Sequence, residues 1–177
     1  MNMRIWVLLS CVLLVFGCAK KGGTAANQPA KTGVAAQPLT GLEWVKNGPV
    51  EIKPGTVYVV EFWATWCPPC KRSIPHLTEL QHKYKDKNLV IVGISTEKVD
   101  VVKPFVEQKG AEMDYAVAVD TTGTVSTGYM DAFGRDTIPS AFVVGADGKI
   151  VWVGNPLDNM DAILERTLAQ APPARGG

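Results

Sequence analysis

The stretch FWATWCPPCK, residues 62–71, holds two cysteines, Cys67 and Cys70, that are separated only by two prolines. An apolar run of β-branched and aromatic residues over 57–63 leads into the pair, and Glu61 is the one charged residue that interrupts it. After the pair, apolar side chains recur at nearly 3.6-residue spacing, which predicts an amphipathic helix. The cysteines are therefore predicted to lie where a buried strand ends and a helix begins.

A single cysteine pair with this spacing allows three interpretations. A structural zinc site needs about four ligands, and the only histidines, His76 and His82, would point in different directions on a helix. A purely structural disulfide would close a very small loop and constrain little of the unfolded chain. A redox pair fits the position best, because a helix N-terminus stabilises the Cys67 thiolate and lowers its pKa. Cys70, one turn further in, is predicted to be the more buried, waiting thiol.

The rest of the chain predicts an α/β fold with a mixed central sheet and helices on both faces. One or two strands are expected within residues 42–53. Pro104 is tolerable in its helix, which is closed by Gly110, if it lies in the first turn. The other predicted strands cover residues 57–63, 89–94, 115–119, 140–144 and 149–153, the last two as a hairpin. The predicted helices carry their apolar positions within residues 74–84, 99–106, 125–130 and 157–168.

The beginning of the chain is typical of an export signal. Arg4 precedes an apolar run that ends at Phe16, shorter than the roughly 20 residues of a membrane-spanning helix. The predicted organisation is a signal peptide at 1–17, a flexible tether at 18–40, a globular domain at 41–171 and a tail at 172–177. After export into an oxidising compartment, a vicinal cysteine pair tends to form a disulfide.

The segment Val15-Phe16-Gly17-Cys18 resembles the lipobox of bacterial lipoproteins, although Phe16 is larger than the residue usual there. The resemblance implies that Cys18 becomes the lipidated first residue of the mature protein and tethers it to a membrane, facing the periplasm or cell exterior. An uncleaved anchor and an ordinary cleaved signal are the alternatives.

Residues 62–71 together with Thr137-Ile138-Pro139-Ser140-Ala141-Phe142 resemble the TlpA-like family of exported thiol–disulfide oxidoreductases, which have the thioredoxin fold. The resemblance covers roughly residues 40–170. It implies that Pro139 follows a cis peptide bond beside the cysteines and that the backbone at Ile138 binds the extended chain of a partner. Pro75 matches a helix bend of the family.

The same resemblance assigns roles around the cysteine pair. It implies that Cys67 attacks a partner disulfide and Cys70 resolves the mixed disulfide. Trp66 would cover the exposed side of the site, and Pro68 and Pro69 would lie on its substrate-binding surface. Because neither proline has an N–H, two potential donors to the Cys67 thiolate are missing. We therefore expect a Cys67 pKa closer to thioredoxin's ~7 than to the ~3.5 of a strong oxidant.

Glu61 has two interpretations. A glutamate in an apolar strand can face solvent at a sheet edge. Thioredoxins, however, carry a buried acid at this position, and the resemblance implies that it exchanges a proton with Cys70. Burial would raise the pKa of Glu61, so that it acts as a base near neutral pH. Ser73 stands where many TlpA-like proteins carry a second acid, so Glu61 is predicted to do this work alone.

The expected function is reduction of protein disulfides by a monomer without metal or other cofactor, recharged by a membrane electron donor, with cytochrome c maturation among the family's roles. The 18 basic and 17 acidic residues argue against a nucleic-acid partner. A peroxidase of the related peroxiredoxin group is one rival, but Ala64 stands where those proteins have threonine. A copper-delivering or partner-binding lipoprotein is the other, but its usual Cys-x-x-x-Cys motif is missing.

Overall fold

The computed structural model describes residues 32–173, which form one six-stranded mixed sheet with helices on both faces. The strands are β1 Glu43–Lys46, β2 Val57–Phe62, β3 Leu89–Ser95, β4 Ala116–Val119, β5 Ser140–Val144 and β6 Ile150–Gly154. The helices are α1 Pro68–Lys83, α2 Val99–Lys109, α3 Thr124–Tyr129 and α4 Met160–Gln170. The sheet order is β1-β4-β3-β2-β5-β6, so the predicted α/β architecture is confirmed.

Strand β2 lies in the middle of the sheet, parallel to β3 and antiparallel to β5. All six of its residues are buried, which explains why its sequence is a nearly continuous apolar run rather than an alternating one. Because β2 ends at Phe62 and α1 begins at Pro68, the cysteine pair lies at the carboxyl end of the central strand. The predicted strand-to-helix position of the pair is confirmed.

Each face of the sheet has its own apolar core. Helices α1, α2 and α4 cover one face, where Ile74, Val102 and Leu164 are fully buried. Helix α3 and an N-terminal segment cover the other, through Tyr129 and Leu39. Burial of an aliphatic side chain contributes roughly 1.5–3 kcal/mol, so these two cores hold the sheet and its helices together.

The packed part of the chain begins before the predicted boundary at residue 41. The Gly33 N–H donates to Ile150 O at 2.8 Å, and Tyr129 Oη donates to Gln37 O at 2.9 Å. Leu39 is only 7% exposed. Residues 33–39, which sequence reasoning assigned to the flexible tether, therefore pack against the sheet. Their backbone groups form hydrogen bonds at its edge, and sequence alone does not locate that edge.

Two helix details differ from the expectations. Pro104 is the sixth residue of α2 rather than a member of its first turn, so its missing N–H lies inside the helix. Leu157 precedes α4, which begins at Met160, and its side chain is 43% exposed. Its spacing from the later leucines suggested a longer helix than the chain forms.

The leader at 1–17, Cys18 and residues 174–177 of the tail lie outside the described residues. Among the helices of residues 32–173, none has both the length and the apolar character needed to cross a bilayer.

Candidate redox site

The cysteine pair caps the N-terminus of α1 as a disulfide bond between Cys67 and Cys70. Cys67 is the N-cap residue, and the Cys70 N–H donates to Cys67 Sγ at 3.2 Å. Pro68 and Pro69 occupy the first two helical positions, as the sequence suggested. Because neither proline carries an N–H, the amide of Cys70 is the first one in the helix that reaches the sulfur.

The two cysteines differ less in burial than the sequence predicted. Cys67 is 2% exposed and Cys70 is fully buried, so both sulfurs lie beneath the surface in the disulfide state. The difference that remains is positional: Cys67 lies at the end of the helix, whereas Cys70 lies inside its first turn.

Ile138 and Pro139 lie beside the pair, 71 residues further along the chain. Cys67 Sγ is 3.8 Å from Ile138 O, and the Ile138–Pro139 peptide bond is cis, as the family resemblance implied. The Ile138 backbone therefore lies at the sulfur and can pair with an extended chain laid across the site.

A cleft of about 300 Å³ opens next to the disulfide. Trp66, which is 68% exposed, and Ile138 form its edge nearest the cysteines. Its charged lining residues are Glu97, Asp131, Arg135 and Asp136. The cleft combines apolar walls with a rim of net negative charge.

Glu61 lies on the central strand β2 and is fully buried, so the interpretation as an exposed edge residue is wrong. Desolvation raises the pKa of its carboxyl from 4.5 to about 8, and the hydrogen bond to Ser73 lowers it by less. Ser73 Oγ is 3.2 Å from Glu61 Oε1 and donates to Cys70 O at 2.9 Å. Ser73 therefore connects the carboxyl to the backbone of the second cysteine.

Glu97 is a site residue that sequence reasoning missed. Its carboxylate accepts from the Thr65 N–H at 2.6 Å and from Thr65 Oγ1 at 2.8 Å. Ser95 Oγ donates to it as well, at 3.2 Å. Three donors from two segments thus fix the loop that carries Trp66 and Cys67. A polar residue just beyond the carboxyl end of a parallel strand was the available signal.

The two histidines of the zinc interpretation lie on separate parts of the surface. His76 Nε2 is 2.8 Å from Asp161 Oδ1 on α4, and His82 Nε2 is 2.8 Å from Asp114 Oδ2. Within residues 32–173, no three His, Cys, Asp or Glu side chains are grouped so that they could hold a metal ion.

Comparison with known proteins places this site within a family. Residues 47–153, which include both cysteines and Pro139, match the model of the AhpC/TSA family. The chain belongs to the AhpC/TSA family.

Two proteins similar to this chain carry the same name, thiol–disulfide oxidoreductase ResA. The protein from Bacillus thuringiensis subsp. konkukian is 33% identical over 116 residues, which cover 64% of this chain and 62% of the relative. The protein from Halalkalibacterium halodurans is 28% identical over 115 residues, with 63% and 62% covered. The matched region thus spans less than two thirds of these relatives.

Solved structures confirm the thioredoxin-like fold of this AhpC/TSA family member. A thiol:disulfide interchange protein of the thioredoxin family from Chlorobium tepidum superposes with a TM-score of 0.64 at 28% identity, covering 76% of this chain and 96% of that one. A thiol:disulfide interchange protein from a Bacteroides species gives a TM-score of 0.66 at 23% identity, covering 80% and 93%. The second likeness supports the fold alone.

Proposed function

We propose that this protein is a thiol–disulfide oxidoreductase that reduces disulfides of exported proteins. The observation that carries the proposal is the Cys67–Cys70 disulfide at the N-terminus of α1, beside Ile138 O and above a buried acid. The names of the ResA relatives support thiol–disulfide oxidoreductase activity.

The reaction transfers two electrons from the reduced pair to a client disulfide. The Cys67 thiolate attacks one client sulfur, forms a mixed disulfide and releases the other client sulfur as a thiolate. Glu61 takes the proton of Cys70, whose thiolate then attacks Cys67 Sγ. The Cys67–Cys70 disulfide forms, the second client thiol leaves, and both client sulfurs end reduced.

The donors at the sulfur support electron flow from the pair to the client. A Cys67 thiolate accepts a hydrogen bond from the Cys70 N–H but none from Pro68 or Pro69. It is therefore stabilised less than a thiolate at an ordinary helix N-terminus. A less stabilised thiolate means a less stable reduced form and a more reducing couple. A membrane electron donor must then re-reduce the pair after each turnover.

The reduction potential of the Cys67–Cys70 couple tests this direction. Equilibration against dithiothreitol or glutathione should give a value near or below thioredoxin's ~−270 mV. A value near ~−120 mV would mean that the protein installs disulfides instead. Rapid oxidation of the dithiol by hydrogen peroxide, with no reduction of insulin disulfides, would favour the peroxidase rival.

We also propose that a lipid on Cys18 holds the domain at the outer side of a membrane, where cytochrome c precursors and other exported proteins are candidate clients. The lipobox-like Val15-Phe16-Gly17-Cys18 supports this anchor. Mass spectrometry of the whole chain from the membrane fraction should find Cys18 as the N-terminal residue with a lipid on its sulfur, and Cys18→Ala should carry no lipid. An unsubstituted protein without lipid and with its leader uncleaved would show an ordinary apolar anchor instead.

A further inference from the structure

Ser73 and Glu61 form a buried polar pair between helix α1 and strand β2. Ser73 lies on α1 three residues after Cys70, Glu61 lies on β2, and all three residues are fully buried. Ser73 Oγ is 3.2 Å from Glu61 Oε1. Glu61 and Cys70 both have roles in the proposed reaction, whereas Ser73, which contacts both, has none there.

The Ser73 hydroxyl is the one hydrogen-bond donor that reaches the Glu61 carboxyl within residues 32–173. It contacts Oε1, whereas Oε2 is buried without a partner. The only charged side chains buried in this part of the chain are Glu61 and Asp120, so no buried cation can pair with the carboxyl. An ionised Glu61 therefore depends on Ser73 for a hydrogen bond.

The elements packed around Glu61 leave Ser73 in this position. Strand β3 places Gly93 opposite Glu61, and β5 places Ala141 opposite it on the other side. The buried side chains of α2 and α4 are all apolar. Tyr115 precedes β4, and burial, with a smaller contribution from the charge of Glu61, raises its pKa well above 10. Tyr115 is therefore neutral wherever Glu61 titrates.

The single hydrogen of the Ser73 hydroxyl has two acceptors. Ser73 Oγ is 2.9 Å from Cys70 O, the usual contact of a helical serine with the preceding turn. That carbonyl does not depend on Ser73, because a carbonyl inside an α-helix also accepts from the N–H four residues later. A charged acceptor forms the stronger hydrogen bond. Ionisation of Glu61 therefore favours the orientation in which the hydroxyl donates to Oε1.

We propose that Ser73 is a positioning residue for Glu61, whose hydroxyl donates to Oε1 of the carboxylate and leaves Oε2 as the oxygen that takes the proton of Cys70. A hydrogen bond to the charged form stabilises it, and the oxygen without a donor is the more basic of the two. Cys70 loses its thiol proton, Glu61 gains it, and Ser73 ends with the hydrogen that it had. This role rests on the proposed function, whereas the hydrogen bond itself does not.

The titration of Glu61 in the oxidised, ¹³C-Glu-labelled protein tests the hydrogen bond without an activity assay. Ser73→Ala removes the donor to the charged form, so the midpoint should rise by about one pH unit. Ser73→Thr restores a hydroxyl and should bring the midpoint back. Thr78→Val is the matched control, because it removes another buried hydroxyl of α1, which donates to Glu112 O at 2.8 Å.

The pH profile of the resolving step is the second readout. Reduced protein mixed with dithiobis(nitrobenzoate) releases one thionitrobenzoate when Cys67 attacks the reagent, and a second when Cys70 attacks the mixed disulfide. In stopped-flow absorbance, Ser73→Ala should move the profile of the second release upward by about one pH unit. The profile of the first release should not change, because Glu61 acts only on Cys70.

An unchanged Glu61 midpoint in Ser73→Ala would overturn the proposal, and so would equal shifts in Ser73→Ala and Thr78→Val. A shifted midpoint with an unchanged profile of the second release would overturn it as well, because Ser73 would then act on Glu61 without acting on the reaction. If both readouts shift as expected but the protein reduces no disulfide of insulin, the positioning role stands and the proposed function fails.

Discussion

The Cys70→Ser variant should accumulate as a covalent complex with its client, and its turnover in disulfide reduction should fall by at least a thousandfold. Cys67 can still attack a client disulfide, because its own sulfur and its place at the end of α1 are unchanged. The thiol that resolves the mixed disulfide is missing, so the complex persists. Non-reducing electrophoresis of cell extracts followed by mass spectrometry would detect the complex and identify the client.

Cys67→Ser is the matched control, since it removes the other sulfur of the same disulfide. It should be equally inactive, yet it should form no covalent complex, because Cys70 lies inside the first turn of α1, whereas Cys67 lies at the end of the helix beside Ile138 O. Equal trapping by both variants would show that either cysteine can attack first. Complexes formed only by Cys67→Ser would reverse the assigned roles.

Replacing Glu61 by Gln should remove most of the loss of stability that the protein shows as the pH rises from about 5 to 9. In the folded protein burial raises the pKa of Glu61 to about 8, whereas the unfolded chain has the usual 4.5. Between these values the folded state binds more protons than the unfolded state, so the free energy of unfolding falls with rising pH. The stabilisation is complete below about pH 4.5 and is lost as the pH passes through 8.

The size of this effect follows from the shift, since one pKa unit corresponds to 1.36 kcal/mol. Glu61→Gln should match the unsubstituted protein at pH 5 and exceed its free energy of unfolding by about 3–5 kcal/mol at pH 9. Urea denaturation of the oxidised proteins at a series of pH values measures the free energy of unfolding of the variant and of the unsubstituted protein. Glu79→Gln makes the same change at an exposed position of α1 and should leave the pH dependence unaltered.

Parallel pH curves for Glu61→Gln and the unsubstituted protein would mean that Glu61 carries no perturbed proton in the folded state. The proposed deprotonation of Cys70 would then need another base. If instead the stability curves diverge as expected while the resolution step is unchanged between pH 6 and 9, Glu61 is a buried acid without a catalytic role.

Much of the fold could be predicted from local sequence, because the patterns that favour a strand or a helix lie within short segments. The apolar run of residues 57–63 must be buried on both faces, and the spacing after Cys70 has the period of a helix. The cis bond before Pro139 was different: only the resemblance of residues 137–142 to a known family implied it. Pro104 shows the limit of local rules, because the apolar face of α2 packs well enough to keep a proline inside the helix.

The sequence by itself determined the candidate redox pair, since two cysteines with two prolines between them set both the sulfurs and the missing N–H donors. Only the tertiary structure decided what surrounds them. Glu97 reaches Thr65 from 32 residues away, and the Tyr115 ring packs over Gly93 because glycine has no Cβ. Such contacts depend on strand register and on the packing of α1 and α2 against the sheet. No local pattern encodes them, because each partner taken alone is an ordinary core or loop residue.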